Sequence, residues 1–124
     1  MGDLTDRIWA AVEPSIYLTK EEYLAGLEGW EITPHVIDGE TIGAVLVKGT
    51  ELHFVTWGKW GLRREDIRHY LNPILHKHGV VTTRTPVDSL RQQRFNRVLG
   101  FVETGRSEFF VYFSLRRDPF GRNF

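Results

Sequence analysis

The sequence predicts an α/β (α+β) fold, in which a mixed and mostly antiparallel sheet carries helices on both faces. The pair Asp38-Gly39 separates two strand-like runs, and this is a strong hairpin signal because both turn positions need positive φ. Strand-like runs at 51–57 and 80–85 are joined through a helical segment, and such a crossover makes the two strands parallel. The predicted element order is ααβββαβαββ in a single domain at 1–115, followed by an irregular tail at 116–124.

Two short helices and three strands are expected in the first half of the chain. Residues 4–12 carry apolar side chains at helical spacing, and Thr19 and Glu22 have the spacing of a capping box at the start of a second helix. The three strands share β-branched and aromatic residues between glycine turns, and they are predicted at 30–37, 41–47 and 51–57.

The second half is predicted to hold two helices and three strands. A helix at about 62–78 has an apolar face, although Pro73 must remove one of its hydrogen bonds. A strand at 80–85 follows it, and two further strands at 101–103 and 108–115 surround a Thr-Gly-Arg-Ser turn. The last strand is expected at an exposed edge of the sheet, where its backbone could pair with the same strand of a second copy, so a homodimer is one assembly that the sequence allows.

The last helix is predicted from its two ends and from an apolar stripe. Ser89 and Gln92 have the spacing of a capping box at its start. Gly100 has the position of a left-handed cap at its end, and Phe101 is expected to fold back onto Phe95. The stripe at helical spacing comprises Leu90, Phe95, Val98 and Leu99.

Composition restricts the class of protein. The 124 residues are 41% hydrophobic and contain 4 Trp, 4 Tyr and 8 Phe, which is typical of a folded globular domain. The absence of cysteine excludes disulfides and thiolate zinc sites. No apolar run reaches the ~20 residues of a membrane span, so no membrane association is expected. Sixteen basic residues balance sixteen acidic ones, which argues against a nucleic-acid partner. The expected location is the cytoplasm.

The helix that ends with Arg97-Val98-Leu99-Gly100-Phe101 resembles the last helix of the GNAT (GCN5-related N-acetyltransferase) superfamily, which closes on a Leu-Gly-Phe signature. The element order resembles that superfamily over residues 4–115, with the usual first strand missing or displaced. The short length and the Asn-Arg-Val-Leu-Gly-Phe segment are also similar to small GNAT-like proteins of tailed phages, for which the location would be the host cytoplasm or the virion.

The resemblance implies acetyl-CoA as cosubstrate, with its pantetheine arm between strands 51–57 and 80–85. The pyrophosphate would contact backbone amides at the start of the following helix, where glycines and basic side chains suit an anion. The cofactor-binding residues implied in this way are Val55, Trp57, Gly58, Lys59, Trp60, Gly61, Leu62, Arg63, Arg64 and Ser89.

Proton transfer needs a base near these strands, and Glu51 and His53 are the predicted catalytic residues. They alternate to the same face of one strand, and an imidazole has a pKa suited to accepting a proton from an amine. His35 is a further candidate base, and Tyr70 and Tyr112 are candidate acids that packing explains equally well. A CoA thioester and an amine acceptor of unknown identity are the expected partners.

No metal is expected. The histidines at 69, 76 and 78 lie on one predicted helix, but no carboxylate joins them at ligand spacing, and a solvated helix face explains them. A ridge of Arg91, Arg94 and Arg97, with Arg84 expected nearby, is a candidate surface for a phosphate backbone or an acidic protein, and a solvated face explains it too.

Departures from the family pattern leave two functions open. The glycine spacing of 58–61 differs from the family's Gln/Arg-x-x-Gly-x-Gly/Ala, Glu65 and Asp66 oppose an anion in the helix's first turn, and Asn96 stands where the family often has a tyrosine acid. The first hypothesis is an acyl-CoA-dependent N-acyltransferase that acetylates a primary amine. The second is a catalytically degenerate module of a phage virion or host-interaction complex, which binds a protein or nucleic-acid partner without acyl transfer.

Overall fold

A computed structural model describes residues 2–13, 18–57 and 63–116 of the chain. The helices are α1 (Gly2–Val12), α2 (Lys20–Gly26), α3 (Arg64–His78) and α4 (Leu90–Val98). The strands are β1 (Glu31–Ile37), β2 (Glu40–Lys48), β3 (Glu51–Thr56), β4 (Val81–Pro86), β5 (Val102–Arg106) and β6 (Phe110–Leu115). The order of elements along the chain is therefore the predicted one.

The strands form one six-stranded sheet in the order β1-β2-β3-β4-β6-β5. β6 lies between β4 and β5, so the predicted exposed edge of this last strand is wrong. β3 and β4 are parallel, whereas the pairs β1–β2, β4–β6 and β5–β6 are antiparallel. This confirms the predicted mixed, mostly antiparallel sheet. The chain divides into two compact units, Met1–Lys48 with His53–Gly61 and Gly49–Leu52 with Leu62–Phe124. The single domain at 1–115 stays a prediction, and residues 117–124 of the predicted tail lie outside the described residues.

The first unit confirms both local signals of the N-terminal half. At the start of α2, the backbone N–H of Thr19 donates to Glu22 Oε1 at 2.9 Å and that of Glu22 donates to Thr19 Oγ1 at 3.1 Å, which is the predicted capping box. Asp38 and Gly39 have φ values of 51° and 80°, as the predicted hairpin turn between β1 and β2 requires.

The apolar core of this unit is centred on α1 and on the inner positions of β2 and β3. Its buried members are Ile8, Ala44, Leu46 and Val55. Next to this core, β2 passes so close to β3 that a Cβ at Gly43 would lie 2.4 Å from the carbonyl oxygen of Val55. Only glycine fits this approach, and a β-bulge between His35 and Val36 adjusts the register of β1 beside it.

In the second unit, α3 packs as its periodicity predicts. Its buried side chains are Ile67, Leu71, Ile74 and Leu75. The helix contains Pro73, and Gly79 ends it with a φ of 75°. At its start, Asp66 Oδ2 accepts a hydrogen bond from the backbone N–H of Arg63 at 3.3 Å, so the carboxylate caps the first turn of the helix.

The turn between β5 and β6 differs from the prediction. Thr104 to Arg106 continue β5, and the register shifts between Glu103 and Gly105, so Thr104 is the extra residue of a bulge and Gly105 pairs with Tyr112 instead of making the turn. The chain reverses at Ser107, whose N–H donates to the carbonyl of Phe110 at 2.8 Å and whose Oγ accepts from the N–H of the same residue at 3.1 Å.

The packing of α4 also differs from the prediction. Its buried side chains within the helix are Gln93 and Asn96, whereas the predicted stripe residues Leu90, Phe95 and Val98 are exposed, and only Leu99 of that set is buried. Ser89 makes no side-chain capping bond, so the predicted capping box with Gln92 is wrong. Two carbonyls at the end of β4 bind the side chain of Gln93 instead, which turns the polar side of the helix inward.

The C-terminus of α4 follows the prediction. Gly100 has a φ of 100°. Its N–H donates to the carbonyl of Arg97 at 3.0 Å, and the N–H of Phe101 donates to the carbonyl of Asn96 at 3.0 Å, which together make a Schellman motif. The motif buries Phe101 while Phe95 stays 40% exposed.

Candidate functional site

The candidate site is a cavity of about 310 Å³ in the second unit, on the side of the sheet away from the buried residues of β4 and β6. Its lining comes from four strands and comprises Glu51, Thr82, Thr83, Arg84, Thr104, Tyr112 and Phe113. Alternation along β4 and β6 directs Thr83, Thr85, Val111 and Phe113 to the buried side, so the side chains of Thr82, Arg84 and Tyr112 are left to the cavity side.

The strand register brings the polar residues of this side together. Glu51 of β3 pairs with Thr82 of β4 in the parallel register, and Arg84 pairs with Tyr112 of β6 in the antiparallel one. The N–H of Thr82 donates to the carbonyl of Thr50 at 2.8 Å, and the hydroxyls of these two threonines lie 3.0 Å apart. These bonds fix the start of β3, and with it the backbone of Glu51, against β4.

An ion pair dominates the polar part of the cavity. Arg84 Nε lies 3.1 Å from Glu51 Oε2, and the two side chains are 42% and 26% exposed, respectively. The guanidinium carbon of Arg84 also lies 5.0 Å from the ring centroid of Phe110, which holds the cation in a cation–π contact. Arg84 thus belongs to this ion pair. Glu51, predicted as a base, has a cationic partner at hydrogen-bond distance.

The other predicted catalytic residue, His53, belongs to the first unit. Its ring centroid lies 5.6 Å from that of Trp30, at an interplanar angle of 48°. His35, the further candidate base, is buried on β1. The proton-acceptor roles of Glu51, His53 and His35 stay predictions.

Two predicted cofactor residues of β3 and its end have structural contacts. Val55 is a buried member of the core of the first unit. Trp57 Nε1 donates to the carbonyl of Thr41 at 3.2 Å, and the guanidinium carbon of Arg7 lies 5.7 Å from the centroid of the Trp57 ring. These contacts fix both side chains in the first unit, and their roles toward a cofactor stay predictions.

The predicted phosphate loop is described only at its end. Gly58, Lys59, Trp60, Gly61 and Leu62 lie outside the described residues. Where the description resumes, Arg63 Nε lies 3.1 Å from Asp66 Oδ2.

The other two predicted cofactor residues stand at helix starts. Arg64 is the first residue of α3, and Ser89 occupies the N-cap position of α4, where its N–H donates to the carbonyl of Pro86 at 3.0 Å. The predicted roles of both residues, like that of Arg63, stay predictions.

The inner side of α4 holds polar groups that periodicity missed. Gln93 is 2% exposed, and its Nε2 donates to the carbonyls of Pro86 at 3.2 Å and Val87 at 2.9 Å. Asn96 Nδ2 and Thr85 Oγ1 are buried without a hydrogen-bond partner among the described residues. A helix whose apolar residues mark a different side gives no periodic signal for these amides, and only the position of Asn96 relative to Gly100 draws attention to it.

The candidate acids lie on two elements, Tyr70 on α3 and Tyr112 on β6. Burial raises the pKa of Tyr70, and the nearby carboxylate of Asp66 raises it further. Tyr112 lines the cavity.

Within residues 2–13, 18–57 and 63–116, no group of three or more histidine, aspartate or glutamate side chains could hold a metal ion. The helices described for this chain include none with the length and apolar character of a membrane span.

Comparison with known proteins places the fold. Neither a protein-family model nor a curated protein matches the sequence. Among solved structures, a ribosomal-protein-alanine N-acetyltransferase from Brucella melitensis matches with a TM-score of 0.64 and 12% identity, over 94% of this chain and 96% of that one. A GNAT family acetyltransferase from Elizabethkingia anophelis with acetyl-CoA bound matches with a TM-score of 0.62 and 13% identity, over 88% of this chain and 87% of that one.

A third similar structure is Ard1 from Thermoplasma volcanium, with a TM-score of 0.61 and 16% identity, over 93% of this chain and 92% of that one. Likeness at such identities establishes the fold, and the chain has the GNAT fold. The predicted resemblance to GNAT proteins is therefore confirmed at the level of the fold. The likeness to phage proteins stays a prediction.

Proposed function

We propose that this chain is an acyl-CoA-dependent N-acyltransferase that transfers an acetyl group to a primary amine. The observation that carries the proposal is the match of almost the whole chain to N-acetyltransferase structures, one of which contains acetyl-CoA. Fold likeness alone is an analogy, because one fold hosts several functions. The chemistry of the chain's own residues must therefore supply a binding site for the thioester and a base for the amine.

Acetyl-CoA is the proposed cosubstrate, with its pyrophosphate at the start of α3. Backbone N–H groups at a helix N-terminus bind anions, because they are unpaired there and carry the positive end of the helix dipole. Asp66 accepts bonds from both the backbone N–H and the side chain of Arg63, so this arginine is already neutralised by a neighbour. The amides and Lys59 of the preceding loop are left as the main attraction for phosphate.

The proposed chemistry is a direct transfer. The amine nitrogen, once it has lost a proton, forms a bond with the thioester carbonyl carbon, and the carbon–sulfur bond breaks to release the thiolate of CoA. Glu51 and His53 are the proposed proton acceptors. A backbone N–H of β3 is proposed to polarise the carbonyl oxygen as negative charge develops on it. Holding both substrates in place supplies most of the acceleration.

Thermal unfolding with and without acetyl-CoA tests the binding step. A ligand at one hundred times its dissociation constant stabilises the folded protein by about 2.7 kcal/mol, so a clear rise in melting temperature is expected at millimolar acetyl-CoA. Gly61→Glu places a carboxylate in the proposed phosphate loop and should abolish the rise. Gly26→Glu adds the same charge at a helical position with open space around it and should leave the rise intact.

Release of free thiol from acetyl-CoA in the presence of primary amines tests the transfer. Glu51→Gln and His53→Gln should each lower the rate at saturating acetyl-CoA without changing the melting shift, if the residue accepts the proton. An unchanged melting temperature at millimolar acetyl-CoA would refute the proposed function. A shift without thiol release from any amine tested would restrict the chain to binding.

A further inference from the structure

We propose that the cavity beside β3, β4 and β6 is a binding site for a small α-amino acid, whose ammonium group binds Glu51 and whose carboxylate binds Arg84. The site is defined by the cavity lining and by the ion pair within it. That this amino acid is the acetyl acceptor rests on the proposed function, whereas its binding does not.

The size of the cavity selects a small ligand. Its volume of about 310 Å³ lies at the lower end of the range of about 300–1,000 Å³ that is typical of ligand pockets. A free amino acid fits such a volume, whereas a whole coenzyme does not. The cavity is therefore suited to the second substrate of a transfer reaction.

The charges of the cavity select a ligand with both signs. Glu51 Oε2 and Arg84 Nε lie 3.1 Å apart, and both side chains retain exposed surface toward the cavity. An amine alone would gain Glu51 but place its charge beside the guanidinium, and a carboxylate alone would meet the opposite problem at Glu51. An α-amino acid offers each group its counterpart, and the planar guanidinium can bind the carboxylate through two parallel bonds.

The cavity also holds Arg84 in a defined position. The guanidinium lies over the Phe110 ring at 5.0 Å, and the centroids of Phe110 and Tyr112 are 6.4 Å apart. Because the backbones of Glu51 and Arg84 are fixed by the sheet register, the two charges are preorganised on rigid elements. The ring of Tyr112 supplies an apolar wall for the ligand's side chain, and Thr82 and Thr104 line the same cavity with hydroxyl groups.

A purely structural ion pair is the competing explanation, because a partly exposed pair of this kind contributes little to stability and needs no ligand. The two explanations differ in what the cavity binds. A structural pair predicts that no amino acid binds. A recognition site predicts a preference for a zwitterion over ligands that carry either charge alone.

The test is a titration of the uniformly ¹⁵N-labelled protein with each common L-amino acid, without acetyl-CoA, followed by NMR. At least one should shift the resonances of Arg84 Nε–H and of the β4 and β6 amides in a saturable manner. The corresponding amine without the carboxylate, and the corresponding acid without the ammonium group, should each bind at least tenfold more weakly. Equal binding of either analogue, or no saturable shift with any amino acid, would overturn the proposal.

Variants locate the binding. Arg84→Gln and Glu51→Gln should each weaken amino-acid binding at least tenfold while the far-UV circular dichroism stays that of the parent. Arg91→Gln removes an exposed arginine of α4 that forms no ion pair with a described residue, and it should bind as the parent does. If Arg84→Gln binds as tightly as the parent, the site is elsewhere and the proposal is wrong.

The two proposals fail separately. Amino-acid binding by a chain that acetyl-CoA does not stabilise would refute the transferase and leave the amino-acid site standing. Stabilisation by acetyl-CoA with thiol release, in a chain that no amino acid shifts, would refute the amino-acid site and leave the transferase standing.

Discussion

Helices α3 and α4 belong to the same unit and flank the same strand in sequence, yet they present opposite kinds of side chain to the interior. α3 buries Leu71 completely and Ile67 almost so. α4 buries Gln93 and Asn96, while Leu90 and Val98 are 68% and 78% exposed. Hydrophobic periodicity therefore describes the packing of one helix and misplaces the other.

The difference follows from what each helix meets. The inner residues of β4 include Thr83 and Thr85, which offer hydroxyl groups, and β4 ends in the carbonyls to which the Gln93 amide donates. Those donated bonds compensate the desolvation of a buried amide, which would otherwise cost about 1–3 kcal/mol. α3 has no such pair of buried amides within its described length, and transfer of its apolar side chains from water dominates its packing.

Removing a core side chain from α3 should have the largest effect on the free energy of unfolding. Leu71→Ala leaves a cavity at a fully buried position and should lower the free energy of unfolding by about 2–5 kcal/mol. Val98→Ala on α4 is the matched change, and it should alter stability by less than about 0.5 kcal/mol because that side chain is mostly exposed. Urea unfolding of both variants measures the contrast, and similar losses would mean that Val98 is buried in solution.

Substitutions at Gln93 test whether the hydrogen bonds of its side chain stabilise the packing of α4. Gln93→Ala removes the two hydrogen bonds that this buried amide donates to the carbonyls of Pro86 and Val87, so it should cost about 1–3 kcal/mol in urea unfolding. Gln92→Ala changes an exposed neighbour and should have little effect. Gln93→Leu separates hydrogen bonding from burial, because it keeps an apolar volume while removing the amide. Parent-like stability of Gln93→Leu would show that volume alone orients α4.

The sequence predicts what depends on local backbone geometry. The positive φ angles at Asp38-Gly39, the Thr19–Glu22 capping box and the left-handed Gly100 each follow from a few neighbouring residues, and the structure confirms them. The ion pair of Glu51 with Arg84 is different, because it exists only through the pairing of two strands, β3 and β4, that a helix separates in sequence. No local pattern could predict it.

The two misplaced features have a common cause. Composition predicts a turn at 104–107, but Gly105 is paired within β5 and Ser107 organises the reversal by accepting backbone hydrogen bonds. The inward side of α4 was expected from apolar spacing, but its amide is bound by carbonyls at the preceding strand's end. In both cases a specific polar contact outweighs a compositional preference, and such contacts are where local rules commonly fail.

The smallest expected effect on stability concerns the ion pair between Arg97, near the end of α4, and Glu103 of β5. Arg97 Nη2 lies 3.1 Å from Glu103 Oε1, and Arg106 Nε lies 2.8 Å from Glu103 Oε2. The hydrogen bond from Arg106 is the main cause that lowers the pKa of the Glu103 carboxyl below its ordinary value of 4.5, and Arg97 adds to it. Because the folded state lowers this pKa, the pair contributes its full stability above pH 4.5 and loses it as the pH falls through the lowered value.

Glu103→Gln should therefore lower the melting temperature slightly at pH 7, and the difference from the parent should shrink toward zero as the pH falls below 4.5. High salt should shrink it as well, because the charges are exposed and screened. α3 provides the control, since Lys77→Gln removes an exposed charge from its last turn and should show no such convergence in acid. If the Glu103→Gln difference grew on acidification, the folded state would be raising that pKa, and the tie between α4 and β5 would not be electrostatic.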